Sequence, residues 1–562
     1  MFKQYRLFYH SVINTRPSQL YHRLRLLLKR KLLSNLASQS YASMVSLPVE
    51  LDICPAKILP PPLFKPRDKL VRTSKNFQLE VGFLNKWKTL QIPMNWHSPE
   101  MKKGTRLWLL NLHYMEFIEA IDDHNWFAYI KDWISNNKPY KKGYWLDDWN
   151  SYSLSIRVVV WMQQFERRGK SLSEKDKTIL LKSLAAQVRF LVSNLEVDIG
   201  GNHLIKNIKA LLWASRFYEG AEAKNWGDIA LKLLKNALEE QVTDDGVHFE
   251  LSPAYHSQVF ADFLECYSVL DHGEVKDELE IVLPKMAQFL TDVTHPDGFV
   301  SLFSDGGLNM SYTPQECLSI FEQLTNDKVR QATTISYPNA GYFGLRCQEA
   351  LILMDAAELA PKYLPGHGHG DALSFEWSVA GQRVLIDPGV FEYNAGTLRS
   401  FSRSTLNHNT VSLDDEDQTE FWKAFRVGRR AHIVSREVKI EDNSISVSAA
   451  HDGYTRLEGK PVHSRKILMT PNKIQIDDFI LCGRGQRATS RLMLAPDIQV
   501  EKSRQQYFLV GKKLKIAISC VYPISIKETF CFLNFGHKHK TKQLVVDFGK
   551  APCSCQMTLT IC

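Results

Sequence analysis

No run of about 18 apolar residues occurs in the chain, so no segment is predicted to cross a bilayer as a helix. A secretory start is missing as well: Met1 to Thr15 carries cations but neither a continuous apolar stretch nor a small-residue cleavage site. The expectation is a protein that is cytoplasmic or peripheral to the inner membrane, rather than periplasmic or secreted. CxxC pairs are absent from the ten cysteines (Cys54, Cys266, Cys317, Cys347, Cys482, Cys520, Cys531, Cys553, Cys555, Cys562). That excludes a zinc ribbon or a disulfide framework and predicts reduced, buried thiols. With 29 Gly and 23 Pro in 562 residues there is no collagen-like or low-complexity bias.

What is present is ordinary globular material, 44% hydrophobic and 23% charged, long enough for two large domains. Lys plus Arg exceed Asp plus Glu by 70 to 61, and the formal charge of +9 slightly favours an acidic partner such as a polyanionic sugar, nucleic acid or anionic membrane. His537 to Lys542 is basic, but no recognised nucleic-acid module surrounds it, so nucleic acid is not expected as a partner.

Tyr21 to Leu33 mixes leucines with Arg23, Arg25, Lys29, Arg30 and Lys31. It reads either as a basic amphipathic helix in peripheral contact with anionic lipid or as a helix packed on its own protein. The Pro-rich stretch Pro55 to Pro66 reads as an extended linker. From about residue 100 to 330 the apolar period is helical: Leu180, Leu184, Val188 and Leu191 follow a Ser171 to Glu174 capping-box pattern, and Val259, Phe260, Phe263, Leu264, Tyr267 and Leu270 form another stripe. After about residue 340 the period becomes two, as in Ile445 to Ser448 and Lys473 to Asp477, with Pro471-Asn472 as a hairpin turn. The predicted organisation is a basic helical segment and linker over 1–66, a helical array or toroid over 67–335, and an antiparallel β domain over 336–562.

Four clusters can carry chemistry: Gly200 to His203, Asp245 to His256, His367 to Asp371, and Asn407 to Asn409. The strongest is His367-Gly-His-Gly-Asp371, because intervening glycines let two imidazoles and a carboxylate converge. On an extended backbone the imidazoles share a face; in a loop they diverge, one toward a metal and one toward substrate, and the spacing does not decide. Asp387 and His408 are candidates for the remaining ligands, and a His/Asp set suits Zn²⁺ better than Mg²⁺ or Ca²⁺.

The order of these clusters resembles the heparinase II/III family of polysaccharide lyases. The resemblance runs over roughly residues 100–500. It rests on GNHLIKNIKAL (201–211), DGVHFELSPAYH (245–256), HGHGDALSFEWSVAGQRVLIDPG (367–389), Arg403 to Thr410 and QTEFWKAFRVGRRA (418–431). It implies an α/α toroid followed by an antiparallel β-sandwich, and β-elimination on a uronic-acid-containing polysaccharide such as a glycosaminoglycan. Carried over by motif, Asn202 neutralises the substrate carboxylate with help from His203. Tyr255 is base, acid or both, and His367 is the companion base or carboxylate partner. His369, Asp387 and His408 form a divalent metal site of structural character, with Zn²⁺ as the expected ion. Trp108, His113, Tyr114 and Arg157 resemble cleft-lining positions, where aromatics stack on sugars and Arg pairs with a uronate.

Lys206 departs from the pattern, since its position is often acidic in such relatives, and the missing signal departs from their usual export. Two other readings stand beside the lyase. One is a non-secreted protein that binds or edits capsule, O-antigen or exopolysaccharide. The other is a glycoside hydrolase using Glu250 and Asp305 as acid and base.

Overall fold

Helical spacing gives way to strand alternation in the structure as it does in the sequence. The computed structural model describes residues 2–35, 59–65, 70–73, 79–102, 105–139, 143–504 and 506–562. Its principal helices are α1 (Phe2–Ile13), α2 (Pro17–Asn35), α3 (Arg106–Tyr114), α4 (Trp126–Asn136), α5 (Ser151–Arg168), α6 (Glu174–Ser193), α7 (Gly201–Phe217), α8 (Ala221–Gln241), α9 (Pro253–Val269), α10 (Glu274–Asp292), α11 (Pro314–Thr325) and the short α12 (Thr397–Arg403). Two compact units divide the chain. One comprises Arg16–Glu239 and Ala261–Ile281, and the other Met1–Thr15, Glu240–Phe260 and Val282–Cys562. The second unit thus takes helical stretches from 240–260 and 282–335 together with all the strands after residue 330, a division that the change of period does not mark.

In the first unit α5 packs against α3, α6 and α7. Trp133, Trp161 and Trp213 are buried there, with the first two rings edge to face at 5.5 Å. The cap of α6 is Ser173, whose hydroxyl accepts the Asp176 N–H, and not the expected Ser171. Leu172 is extended and leaves Ser171 in a separate 3₁₀ turn, where its hydroxyl donates to the Arg168 carbonyl at 2.8 Å.

The second unit is built on antiparallel sheets. Thr334–Tyr337, Tyr342–Cys347, Ala350–Asp355, Phe375–Val379 and Gln382–Leu385 form a five-stranded meander. An eight-stranded sheet runs Ile433–Glu441, Ser444–His451, Val462–Thr470, Lys473–Leu481, Cys553–Ile561, Lys515–Cys520, Gln506–Val510 and Gln499–Ser503 in spatial order. Pro471-Asn472 is the turn between paired residues Thr470 and Lys473, and burial alternates along both flanking strands. A four-stranded sheet (Ile524–Cys531, His539–Lys550, Arg487–Met493, Val411–Leu413) shares a core with these strands that includes Phe343, Trp377, Val447, Ile476 and Leu544.

Two expectations change. Leu59 and Phe64 are buried, so this part of the Pro-rich stretch is packed and is no free linker, while Pro55 to Ile58 and Pro66 lie outside the described residues. Cys266, Cys317, Cys531 and Cys555 are buried, but Cys482 and Cys562 are exposed; Cys54 lies outside the described residues.

Candidate active site

Helix α9 starts on Ser252-Pro253. The Ser252 hydroxyl accepts the Tyr255 N–H at 3.4 Å, and Pro253 takes the first helical position, where an N–H has no partner anyway. This sets Tyr255 in the first turn. Its ring lies on the His367 imidazole, centroids 3.9 Å apart and tilted by 31°, and its hydroxyl shares a 2.9 Å hydrogen bond with the hydroxyl of Tyr393.

His367 and His369 sit on a loop, not on an extended strand. A Cβ at Gly368 would lie 2.5 Å from the Leu359 carbonyl oxygen, and one at Gly370 2.4 Å from the Thr405 hydroxyl, so the close approach requires glycine at both. The two rings meet different oxygens of one carboxylate: His367 Nδ1 lies 2.7 Å from Asp305 Oδ2, and His369 Nε2 lies 2.8 Å from Asp305 Oδ1. A carboxylate only accepts, so each of these nitrogens carries its proton and donates. His367 Nε2 lies 3.5 Å from Glu250 Oε2. Arg399 forks onto Asp305 through Nη1 and Nη2, the latter at 2.9 Å, and its guanidinium stands over the Tyr393 ring at 5.2 Å. Burial works against the Asp305 anion, but Arg399 and the two imidazoles outweigh it and hold the carboxyl well below its usual range. Burial pushes His369 down to about 3, so its ring is neutral.

Beyond His369 the donors continue. His369, Asp371, Asp387 and His408 are all buried and bring one ligand atom each to within 4.8 Å of one another. His408 Nδ1 lies 2.7 Å from Asp387 Oδ1. Two buried nitrogens, His369 Nδ1 and His408 Nε2, have no hydrogen-bond partner. Burial raises Asp371 to about 6 and carries Asp387 well above the usual carboxylate range, the latter reinforced by Glu376. The His369 Nδ1 lone pair and the His408 ring among carboxylates that resist ionisation fit a cation, and the mixed N and O donors fit Zn²⁺.

In the other unit, Asn202 and His203 occupy the first turn of α7, behind Gly200 at φ 72°. Asn202 is buried. His203 is partly exposed, with Nδ1 3.1 Å from Glu196 Oε1 and its ring 4.5 Å from that of Tyr152, which in turn lies 5.9 Å from Tyr114. The first turn of a helix turns N–H groups and a positive dipole outward, a setting that suits an anion.

Two family descriptions match the sequence: "Heparinase II/III N-terminus" over residues 110–327 and "Heparinase II/III-like, C-terminal" over residues 330–558. The chain belongs to the heparinase II/III family. Among curated relatives, a heparin-sulfate lyase of Bacteroides thetaiotaomicron is 24% identical over 340 residues, 52% of this chain and 48% of the relative. One of Bacteroides stercoris is 27% identical over 387 residues, 62% of this chain and 54% of the relative. The chain thus spans about half the length of these relatives. The solved structure of heparinase III superposes with a TM-score of 0.69 at 19% identity, covering 83% of this chain and 79% of that one. The heparan sulfate lyase of Pedobacter heparinus gives 0.60 at 18% identity, covering 93% and 87%. These likenesses show the fold, the expected α/α toroid and antiparallel β-sandwich.

Within this heparinase II/III fold several expected sugar contacts are core residues. Trp108 is wholly buried, edge-on to Phe83 at 5.3 Å with its indole N–H on the Lys86 carbonyl at 2.9 Å, which leaves no face for a sugar. Arg157 is wholly buried, bonded to Gln187 Oε1 and the His113 carbonyl at 2.8 Å each and stacked 4.0 Å over Trp133. It braces α3 and α6 and does not clamp a uronate. His113 is buried and accepts the Trp133 indole N–H at 3.1 Å, and Tyr114 is buried beside it. Lys206, together with Lys209, is tied to Asp262, at 2.8 and 2.7 Å, so it is not set to meet an anionic sugar. Sequence reasoning missed Tyr393 and Arg399, neither of which stands in a distinctive motif. It named Glu250 and Asp305 only as a hydrolytic pair.

Proposed function

We propose that the protein is a polysaccharide lyase that cleaves a uronic-acid-containing acidic polysaccharide by β-elimination. The observation that carries this reading is the Tyr255–His367 stack, with a second tyrosine on the Tyr255 hydroxyl and a buried carboxylate on the His367 ring. Elimination requires neutralisation of the sugar carboxylate, a base for the weakly acidic neighbouring proton, and an acid for the departing glycosidic oxygen. Tyr255 can serve as base or acid, because the Tyr393 hydroxyl at 2.9 Å can donate to its oxygen when the phenol gives up a proton. Asp305 fixes the His367 ring by accepting from Nδ1, and Nε2 is the nitrogen left to exchange a proton. Asn202 is assigned the carboxylate by its motif and by its place on the first turn of α7, with His203 beside it.

His369, Asp371, Asp387 and His408 would hold a divalent cation, with Zn²⁺ the proposed ion. When bound, it supplies a cross-link between the loops that carry these residues.

The hydrolase reading loses ground because Asp305 is buried under a forked Arg399 and is held ionised, which deprives it of the proton a general acid needs. Absorbance of an unsaturated product over a panel of uronic-acid polymers tests the lyase. Tyr255→Phe is expected to lower kcat by roughly 10²–10⁴-fold with little change in KM. Folded, metal-loaded protein that gives no unsaturated product on any polymer, or a Tyr255→Phe enzyme with full activity, overturns it.

A further inference from the structure

Helix α2 is amphipathic in the reverse sense. Three of its polar side chains point inward, while Arg25 and Lys31 are exposed: Gln19 Nε2 donates to the Asp198 carbonyl at 3.1 Å, Arg23 to the same oxygen at 3.3 Å, and Lys29 Nζ to the Ser193 carbonyl at 3.0 Å. Ser193 ends α6, whose terminal carbonyls attract cations. With Leu26, which is 4% exposed, these residues make one helical face, at 19, 23, 26 and 29. The opposite face holds Leu20, Tyr21, Leu24, Leu27, Leu28 and Leu32, which are 43–64% exposed. A surface helix normally buries such a stripe. In the other unit α1 repeats the pattern, with Leu7 buried and Tyr5, Phe8, Tyr9 and Ile13 exposed.

Charge marks the same segment. Residues 1–35 contain eight Lys and Arg and no Asp or Glu, so they hold eight of the nine formal positive charges, and the remaining 527 residues are nearly neutral. An apolar stripe of leucine and tyrosine set in a wholly cationic segment matches the chemistry of a bilayer surface, with acyl chains for the leucines, the headgroup region for the tyrosine ring and anionic phosphate for the cations. A protein partner of ordinary composition would supply the first of these but not the last.

We infer that the outward stripe of α2 is a peripheral docking surface for an anionic phospholipid bilayer. The helix lies in the interface with its leucines among the acyl chains. Its inward face stays on the protein, so docking needs no unfolding.

The test is flotation of the full chain with vesicles of phosphatidylglycerol and phosphatidylcholine, and with vesicles of phosphatidylcholine alone. Expected is binding to the anionic vesicles that weakens as salt is raised, little binding to phosphatidylcholine, and loss of binding in Leu24→Ser/Leu27→Ser/Leu28→Ser. These three side chains are exposed, so circular dichroism should report an unchanged fold. Arg25→Glu, an even milder change, should lower the partition constant roughly tenfold or more, at about one tenfold step per 1.4 kcal/mol. Wild-type binding no stronger than that of the serine variant overturns the inference. So does a wild type that sediments as a dimer when the serine variant is monomeric and both ignore lipid, because the stripe then belongs to a second copy of the chain.

Discussion

Tyr393 is the side chain nearest to the chemistry that no motif announced. Its hydroxyl is 2.9 Å from that of Tyr255, and it sits between Arg399 and Phe425. If Tyr255 carries negative charge as the proton moves, the bond from Tyr393 is made to a charged oxygen, worth about 1.5–3 kcal/mol. Tyr393→Phe is therefore expected to cut kcat by roughly 10–150-fold with KM nearly unchanged. It should also move the limb of the kcat profile that Tyr255 sets to higher pH, since a phenolate without its donor forms less readily. A pH–rate series on the variant checks both, and a fall in kcat without that shift assigns Tyr393 to packing alone.

At the scale of elements, α1 is held by one acidic residue. Arg6 donates to Glu420 at 2.8 Å, Arg429 donates to both oxygens of Glu420, and the Trp422 indole N–H donates to the Ser11 hydroxyl at 3.0 Å. Burial works against the Glu420 anion, but Arg429 and then Arg6 outweigh it and bring its pKa down to about 2. A depressed carboxylate stabilises the fold above its unfolded pKa, near 4.5, and loses that contribution as pH falls toward 2. Glu420→Gln is expected to cost about 1–3 kcal/mol at neutral pH and progressively less below pH 4.5. Urea midpoints of the two proteins at pH 7, 5 and 3.5 measure the gap and its closure. Elements of this kind were legible in sequence where their signals are local. Helical stripes, the Pro471-Asn472 hairpin and the alternation along 462–481 all rest on neighbours a few residues apart. The cap of α6 was misplaced by two residues because Ser171 and Ser173 both precede an acidic residue by three, and only the backbone at Leu172 separates them. Tyr255 with Tyr393 and Asp305 with Arg399 join residues 138 and 94 apart, for which no local pattern exists. The burial of Trp108 and Arg157 was hidden for another reason: helical period shows that a residue lies on a stripe but not whether that stripe faces a cleft or the core.

At the scale of the molecule, the proposed cation joins loops from three stretches of chain, at 369–371, 387 and 408. Chelation is expected to lower Tm. An ion present at 100 times its Kd contributes about 2.7 kcal/mol, or roughly 4 °C for a unit of this size. The drop should be absent in His408→Ala, which lacks one of the four donors. Calorimetry with and without chelator, followed by readdition of Zn²⁺, checks this without any substrate, and an unchanged Tm in the wild type removes the ion from the fold.

The Arg6–Glu420 ion pair also sets an order of events during synthesis. Its partners are 414 residues apart, so at about 5–20 residues per second the N-terminal helix leaves the ribosome roughly 20–80 s before the hairpin that receives it exists. For that interval Leu7 and the rest of its inner face have no place to pack. The unit that contains α1 cannot close until its later strands have been made, and α1 waits through that interval for its shelter.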